Sequence, residues 1–425
     1  MIRTDIAIVG AGPAGIAAAV RAAECGKQVT VLDDNRTEGG QIWRGGRKRA
    51  ATSGASNGPG ASKWFRGFAE CGAKLLPGAR VVAADAARRT LRAETSGDAF
   101  DIEYDRLILA TGARELFLPF PGWTLPNVTG VGAMQALVKS GLPVEGKRIV
   151  VAGSGPLLLA VAAHLREAGA IVPAIVEQAG WKQLTPFLRS LLGSPAKLLQ
   201  AASLRFDLGA TPYRTDSWVA AAEGDTRVRT ARIQTPSGIR TLDCDYLAVA
   251  YGLVPNVELA AMLGCRIAEG SVTVDEYQQT ALPGIFCAGE STGIGGVELS
   301  LAEGEIAGYA AAGHDAAARR LFATRRKAAR FAQALNLAFT PRPELRRLPE
   351  PGTLVCRCED VPFCKLQTAD SWRAAKLHLR CGMGPCQGRV CGPATNFLFG
   401  WAHESVRPPL FPARIATLLS EKENL

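Results

Sequence analysis

The chain has 425 residues and a formal net charge of +10, enough length for two or three domains with sizeable cores. Its composition, 47% hydrophobic and 21% charged, is ordinary for a soluble globular protein. No apolar run approaches the ~20 residues of a membrane span, which excludes an integral membrane span. The arginines gather in RGGRKRA (44–50), RRKAAR (325–330) and RPELRR (342–347), without interleaved aromatics or a nucleic-acid motif. They read as solvated faces, or as a basic face toward an acidic partner subunit or a membrane surface, and no nucleic acid is expected as a partner. The strand-like DIAIVG begins almost at Met1, so no secretory leader is expected. The expected location is cytoplasmic, with peripheral attachment at the inner membrane face as the alternative. In a reducing compartment the odd count of 11 cysteines points to metal ligands or core residues rather than disulfides.

In chain order, DIAIVG predicts a buried strand, followed by Gly10-x-Gly12-x-x-Gly15, an alanine-rich helix IAAAVRAAECG, and a second strand QVTVLDD that reaches Asp33. Each position has a reason. Gly10 makes the tight turn, Gly12 lets a pyrophosphate approach the backbone, and Gly15 allows close helix–strand packing. The helix N-terminus favours the phosphates, and Asp33 is placed for the ribose hydroxyls of an adenosine. EGGQIW (38–43) follows, then a Gly/Ser/Arg-rich stretch over 44–63 that predicts a mobile loop. YDRLILATGARE (104–115) reads as a strand running into a glycine turn. GIFCAGEST (284–292) is another, leading into the long helix of GIGGVELSLAEGEIAGYAA.

Between these lies a second unit, KRIVVAGSGPLLLAVAAHLREAGAIVPAIVEQ, with Gly153-x-Gly155 and Glu177 at the end of its second strand. Leu158 stands where the third glycine belongs, which would hold helix and strand further apart. Glu177 suits a ribose with free hydroxyls and argues against NADP. The expectation is an adenine nucleotide, NAD or ATP, or a retained scaffold without hydride chemistry.

Together, the glycine turns, the ATG strand and the terminal GE resemble the two-dinucleotide-binding flavoproteins, in which an FAD domain is split by an inserted nucleotide domain. The resemblance implies FAD. It places Gly10, Gly12, Gly15, Asp33, Gly40, Gln41, Thr111, Gly112, Gly289 and Glu290 around it, the last pair reaching the ribityl chain. Pyridine-nucleotide disulfide reductases share this fold and carry paired redox cysteines, yet GGQIWRGG has none and the insert has no C-x-x-C. The chain has four histidines, His164 reads as an ordinary core or surface residue, and no Ser/His/Asp or paired-carboxylate constellation appears. The flavin must carry the chemistry. The expected organisation is an FAD domain over 1–115 and 245–325, a nucleotide-binding insert over 116–244, a Pro-rich linker over 326–352 and a small module over 353–425.

That module holds CRC at Cys356 and Cys358, then RCGMGPCQGRVC with Cys381, Cys386 and Cys391 at even five-residue steps. Zinc sites favour C-x₂₋₄-C pairs, so a thiolate-held redox cluster fits better and a zinc knuckle is the lesser alternative. SWRAAKLHLR predicts a helix ending before Gly382, and CGPATNFLFGWAH predicts one restarting near Cys391. The stretch resembles the ferredoxin-like [2Fe-2S] module of the α-type subunits of heteromeric amino-acid dehydrogenases. These are the D-hydroxyproline and L-proline dehydrogenases, the A subunit of opine oxidase, and the B subunit of hydrogen cyanide synthase. A related module in anaerobic glycerol-3-phosphate dehydrogenase lacks a cysteine at the position of Cys381. The resemblance therefore implies Cys356, Cys358, Cys386 and Cys391 as ligands, with Cys381 left over. The alternative set takes Cys381 and Cys386 as the second pair, and Cys364 falls outside both.

The resemblance also implies a role: an electron-transferring subunit paired with an amine-oxidase-like flavoprotein, with a small ferredoxin-like protein as a further partner. Electrons from a secondary amino acid such as D-hydroxyproline would pass to a quinone or another acceptor. Opines and glycine are alternative substrates. A free-standing NADH-dependent flavin/iron–sulfur reductase and a non-catalytic assembly module are the competing readings.

Overall fold

The computed structural model describes residues 1–44, 60–191, 208–402 and 406–419, together with Leu199, Ser203 and Phe206. Residues 45–59 of the expected loop lie outside them. The chain divides into two compact units, one formed by Met1–Arg114, Pro255–Ala332 and Ser405–Leu425, the other by Glu115–Val254 and Gln333–Glu404.

The first unit is a doubly covered sheet. Its strands β1 (Ile2–Val9), β2 (Val29–Asp33), β3 (Lys74–Pro77), β4 (Arg80–Asp85), β5 (Thr90–Glu94) and β6 (Ala99–Leu109) lie in the order β3-β2-β1-β6-β5-β4. β3, β2, β1 and β6 run parallel. The end of β6 also receives Ile285–Cys287 in parallel, while β4 and β5 are antiparallel additions. Parallel strands carry helices on both faces, which is why their sequences are apolar throughout rather than alternating. Side-chain alternation still divides the core. Ile6, Ile8, Val29 and Val31 face the alanine-rich helix α1 (Pro13–Glu24), whereas Ala7, Leu32, Leu107 and Leu109 face the opposite layer.

The second unit repeats the plan on a smaller scale. Strands β7 (Ile149–Gly153) and β8 (Ile175–Glu177) belong to a five-stranded sheet, all parallel, with Val128–Thr129, Tyr213–Arg214 and Tyr246–Ala250. Helix α2 (Leu157–Glu167) crosses between β7 and β8. A three-stranded antiparallel sheet follows. Residues 333–404 complete this unit. Leu345 and Leu348 are buried in the same core as Leu118, Val150, Val176 and Leu247. The segment before them is pinned: Ser154 Oγ donates to Phe339 O at 2.9 Å, Gln178 Nε2 to Thr340 O at 3.2 Å, and Arg342 N to Gln178 Oε1 at 3.0 Å.

The cysteine-bearing part has a hairpin, Leu354–Cys356 with Val361–Pro362, and helices Trp372–Leu379 and Cys391–Phe399. Trp123 Nε1 donates to Leu354 O at 2.6 Å, tying the hairpin to the rest of the unit. Its own core is small: Val355, Val361, Leu366 and Ala375 with Cys356, Cys381 and Cys391. So little buried apolar surface leaves a role for a metal centre in holding the module together.

Candidate functional site

The first cradle forms where β1 meets α1. Gly10 has φ +106°, and a Cβ on it would lie 2.1 Å from Ala110 O; one on Gly15 would lie 1.8 Å from Gly10 O. Neither position admits a side chain, so helix, turn and crossing strand close to a distance only glycine allows. Gly12, by contrast, meets nothing within 4 Å. The space above it is open at the N-terminus of α1, where Pro13 takes the first helical position, and a helix N-terminus favours a phosphate there. Asp33 ends β2, its Oδ2 accepting from Ala11 N at 2.6 Å and its Oδ1 from the backbone and side-chain nitrogens of Asn35, both at 2.7 Å.

The other residues expected around this cradle converge on it from several loops. Gly39 N donates to Ala11 O at 2.8 Å, and a Cβ on Gly40 would come 3.0 Å from Gly12 Cα. Gln41 is exposed and accepts from Arg44. Thr111 Oγ1 donates to Asn256 O at 2.7 Å and lies 2.9 Å from Ser291 Oγ, while Asn256 Nδ2 returns a bond to Thr111 O at 2.9 Å. Gly112 follows with φ +68°. Gly289 packs on the first turn of α1, 2.8 Å from Ala14 Cβ if it carried a Cβ. Glu290 turns its carboxylate back onto the amides of Gly295 and Gly296, at 3.1 and 2.8 Å, and burial pushes its pKa up.

Sequence reasoning missed the group that holds this loop. Glu303, 2% exposed, accepts from Gly289 N, from Thr292 Oγ1 at 2.8 Å and from Arg325 Nε at 3.0 Å. Arg325 sits in RRKAAR, read from sequence as a solvated run. A buried carboxylate with a cation and two further donors is a fixed element rather than a surface charge.

The second cradle repeats the turn. A Cβ on Gly153 would lie 1.7 Å from Ala250 O, and Gly155 is open on its Cβ side. Glu177 is fully buried. Its Oε2 accepts from Gly155 N at 2.8 Å and from Tyr213 Oη at 3.4 Å, and its Oε1 from Ala179 N at 2.9 Å. Burial raises its pKa to about 7. Leu158 points into the core with Val151, Val161 and Leu165. The open turn fits a phosphate; the acid is committed to the chain's own donors.

The five thiols of the last part form one chain of contacts with two poles. Cys356, Cys381 and Cys391 are buried, with their sulfurs all within 4.8 Å of one another. Cys391 also meets Cys386, and Cys386 meets Cys358. Cys386 is half-buried and Cys358 exposed; Cys364 is exposed elsewhere. Ser371 caps the helix before Cys381, accepting from Ala374 N at 3.2 Å, and Arg380 ends that helix at φ +63°. Gly382 N donates to Cys356 Sγ at 3.5 Å. Hydrogen bonds from Cys381 and Cys391 hold the Cys356 thiol down to about 2, and one from Cys391 helps hold Cys386 down to about 5. Close-set thiols that share protons this way suit a soft metal or an iron–sulfur cluster. All eleven cysteines are free.

Residues 4–315 match the model of the pyridine nucleotide-disulphide oxidoreductases. The chain belongs to that family. This oxidoreductase is therefore an FAD-dependent flavoprotein. It is 32% identical to the A subunit of opine oxidase from Rhizobium meliloti (strain 1021), over 96% of each chain. It is also 32% identical to hydrogen cyanide synthase subunit HcnB of Pseudomonas aeruginosa, over 90% of each. In fold it is similar to L-proline dehydrogenase from P. horikoshii, with a TM-score of 0.72 at 20% identity over 98% of this chain and 79% of that one. Both relatives by sequence are subunits, and this chain is a flavin oxidoreductase subunit related to them. Among the described residues no helix is long and apolar enough to cross a membrane.

Proposed function

We propose that this chain is the FAD- and [2Fe-2S]-bearing electron-transfer subunit of a heteromeric dye-linked dehydrogenase, one that oxidises a secondary amino acid such as D-hydroxyproline. Its partner is an amine-oxidase-like flavoprotein, and its electrons go to a quinone or another acceptor. The observation that carries this reading is the joint presence of an open dinucleotide cradle at Gly12 and a knot of five thiols in one chain. Near end-to-end similarity to subunits of opine oxidase and hydrogen cyanide synthase supports the heteromeric setting. Opine oxidase among these relatives supports an opine as an alternative substrate, and glycine is the other alternative.

When bound, FAD and the cluster supply the exchange between two-electron and one-electron transfer. The residues do the holding. Gly10 and Gly15 bring α1 against the sheet so that its N-terminus faces the pyrophosphate, and Gly12 leaves room for it. Asp33 fixes the turn and would hold the ribose hydroxyls of the adenosine. Glu303, through Gly289, holds the loop of Gly289 and Glu290, the pair that would lie by the ribityl chain of bound FAD. Cys356, Cys358, Cys386 and Cys391 ligate the cluster, and Cys381 remains a buried neighbour. The tight grouping of Cys356, Cys381 and Cys391 favours a second reading in which Cys381 is itself a ligand. In the insert, Gly153, Gly155 and Glu177 support adenine-nucleotide binding without hydride transfer.

The test is anaerobic purification with the partner flavoprotein, followed by flavin, iron and sulfide analysis and reduction by candidate substrates. D-hydroxyproline is expected to bleach the flavin and bring up a reduced-cluster EPR signal; reduction by opines or glycine alone moves the substrate to the alternatives. Efficient bleaching of the isolated chain by NADH would instead establish a free-standing reductase. Cys386→Ser and Cys391→Ser should each lose iron while Cys381→Ser keeps it. Iron lost on Cys381→Ser makes Cys381 a ligand; if Cys391→Ser also keeps its iron, the set is Cys356, Cys358, Cys381 and Cys386.

A further inference from the structure

The thiol knot is not evenly buried. Cys356, Cys381 and Cys391 are at most 1% exposed, whereas Cys358 is exposed and Cys386 half-buried. The open pole is closely packed. A Cβ on Gly384 would lie 2.3 Å from Cys358 Cβ and 3.2 Å from Glu359 Oε1, so the Gly382–Gly384 turn rests directly on Cys358. Met383 stands on that turn, 47% exposed. Arg380 Nε donates to Glu359 Oε2 at 2.7 Å, bringing the end of the helix Trp372–Leu379 to the same place. One turn apart on that helix, Arg373 and Leu377 are exposed, and so are Arg357, between the first two cysteines, and Val390. Between Cys356 and Cys391 there are six Lys/Arg against three Asp/Glu, and one of those acids, Glu359, is already matched by Arg380.

We propose that this pole is the port through which single electrons cross between this chain and a separate acidic redox protein, and that Leu377, Met383 and Val390 with Arg357 and Arg373 form its docking surface. The inference rests on the cluster reading given above. In each encounter one electron moves from the reduced cluster to the partner's centre; the cluster is oxidised by one, the partner reduced by one, and no bond or proton changes hands. A route through the exposed pole is the shorter one to solvent. Exposed apolar side chains among exposed positive charge, Arg357 and Arg373, favour a partner with an acidic rim and an apolar centre. A partner of this charge is steered at low salt and released at high salt.

The test uses the full, cluster-loaded chain. After dithionite reduction its cluster is reoxidised in a stopped-flow instrument by ferricyanide and by hexaamminecobalt(III), which carry opposite charge. Retention on an immobilised plant-type ferredoxin, an acidic protein, is measured in parallel. Arg373→Glu with Leu377→Gln is expected to slow ferricyanide about tenfold at low salt, to speed the cobalt complex, and to abolish ferredoxin retention. Iron and flavin contents should not change. In the iron-free protein, Cys358 should be the first of the five knot thiols alkylated by iodoacetamide. Arg189→Glu, on the helix Trp181–Leu191, serves as the control and should leave both rates as they are. Iron present with rates that the Arg373→Glu, Leu377→Gln double variant and Arg189→Glu alter equally, or not at all, overturns the port alone. Binding to anionic lipid vesicles but not to ferredoxin overturns the acidic protein as occupant. Protein that takes up no iron overturns the cluster reading, and the port with it.

Discussion

The chain builds a strand, a glycine turn, a helix, a strand and an acid twice, and the two copies part at two residues. In the first, Gly15 lets α1 close on the turn and Asp33 reaches as far as Ala11 N, at 2.6 Å. In the second, Leu158 takes the third glycine's place and Glu177, one methylene longer, reaches Gly155 N at 2.8 Å. Gly155 corresponds to Gly12, the residue past which a pyrophosphate must come. The longer acid therefore engages an amide at the phosphate end of its own turn, and it is fully buried in doing so. The same motif thus yields two open turns whose acids are both buried and bonded to the chain, Asp33 to Ala11 N and Asn35, and Glu177 to Gly155 N and Ala179 N. The two cradles therefore differ in which amide the acid takes, Ala11 N in the first and Gly155 N in the second.

The largest effects should come from asking the two copies to trade properties. Gly15→Val is expected to give flavin-free protein and to destabilise the first unit by about 3 kcal/mol, because its Cβ would overlap Gly10 O. Leu158→Ala should cost about 2–5 kcal/mol through the cavity it leaves, yet keep full flavin content. Absorbance at the flavin band and denaturant melts of both variants separate the two outcomes, and flavin loss in Leu158→Ala would erase the contrast. Gly12→Val is milder to the fold, since nothing lies within 4 Å of its Cβ. It should still lose FAD, whereas Gly155→Val, strained at φ +103°, should leave FAD content untouched while it weakens binding of ADP or NADH in calorimetry and lowers the stability of the second unit.

A smaller difference appears in pH dependence. Burial lifts the Glu177 pKa from 4.5 to about 7, so the native state holds a proton that the unfolded state releases. Its contribution is therefore present below pH 4.5, declines as pH rises toward 7, and is flat above that, for a total of about 3 kcal/mol. Melts of the chain across pH 4.5–7.5 should show this fall, and Glu177→Gln should flatten it. An equal slope in both proteins would mean that Glu177 releases its proton at the same pH folded and unfolded. The smallest effect is local to the cysteine module: Ser371→Ala removes the helix cap before Cys381 and should cost about 1 kcal/mol, read as faster amide exchange over 372–379.

Much of this was legible in the residues. The first cradle follows from glycine spacing and Asp33, because each residue there meets a local requirement of turn, helix start or strand end. The crowding of five cysteines was legible too, but their arrangement was not. Even five-residue spacing treats Cys381, Cys386 and Cys391 alike, and only the turn at Arg380 and the restart of helix at Cys391 send Cys381 and Cys391 to the buried pole and Cys386 toward the open one. Glu303 was invisible for a different reason. It lies two residues from Glu305 in an alanine-rich helix, and what separates them is a cation from a distant run, Arg325 for Glu303 and Arg21 for Glu305. Arg342 shows the same limit, since its pairing with Asp216 and its place over the Trp218 ring at 4.9 Å come from non-local chain. Local pattern fixes turns and faces; which charge finds which partner across the sequence is decided only by packing.

The order in which the chain contributes to its two units bears on how the protein is made. Leu118, Phe120 and Trp123 are translated early, yet the core they enter is closed by Leu345 and Leu348, and the hydrogen bond to Leu354 O comes later still. A nascent chain emerging from the ribosome must therefore carry an apolar face without its cover while the whole second half of the flavin unit is synthesised. Chaperone binding during synthesis should concentrate on that face. For the same reason a stop codon after residue 332, meant to remove only the thiols, would leave the insert permanently uncovered and prone to aggregate rather than yield a clean flavin protein.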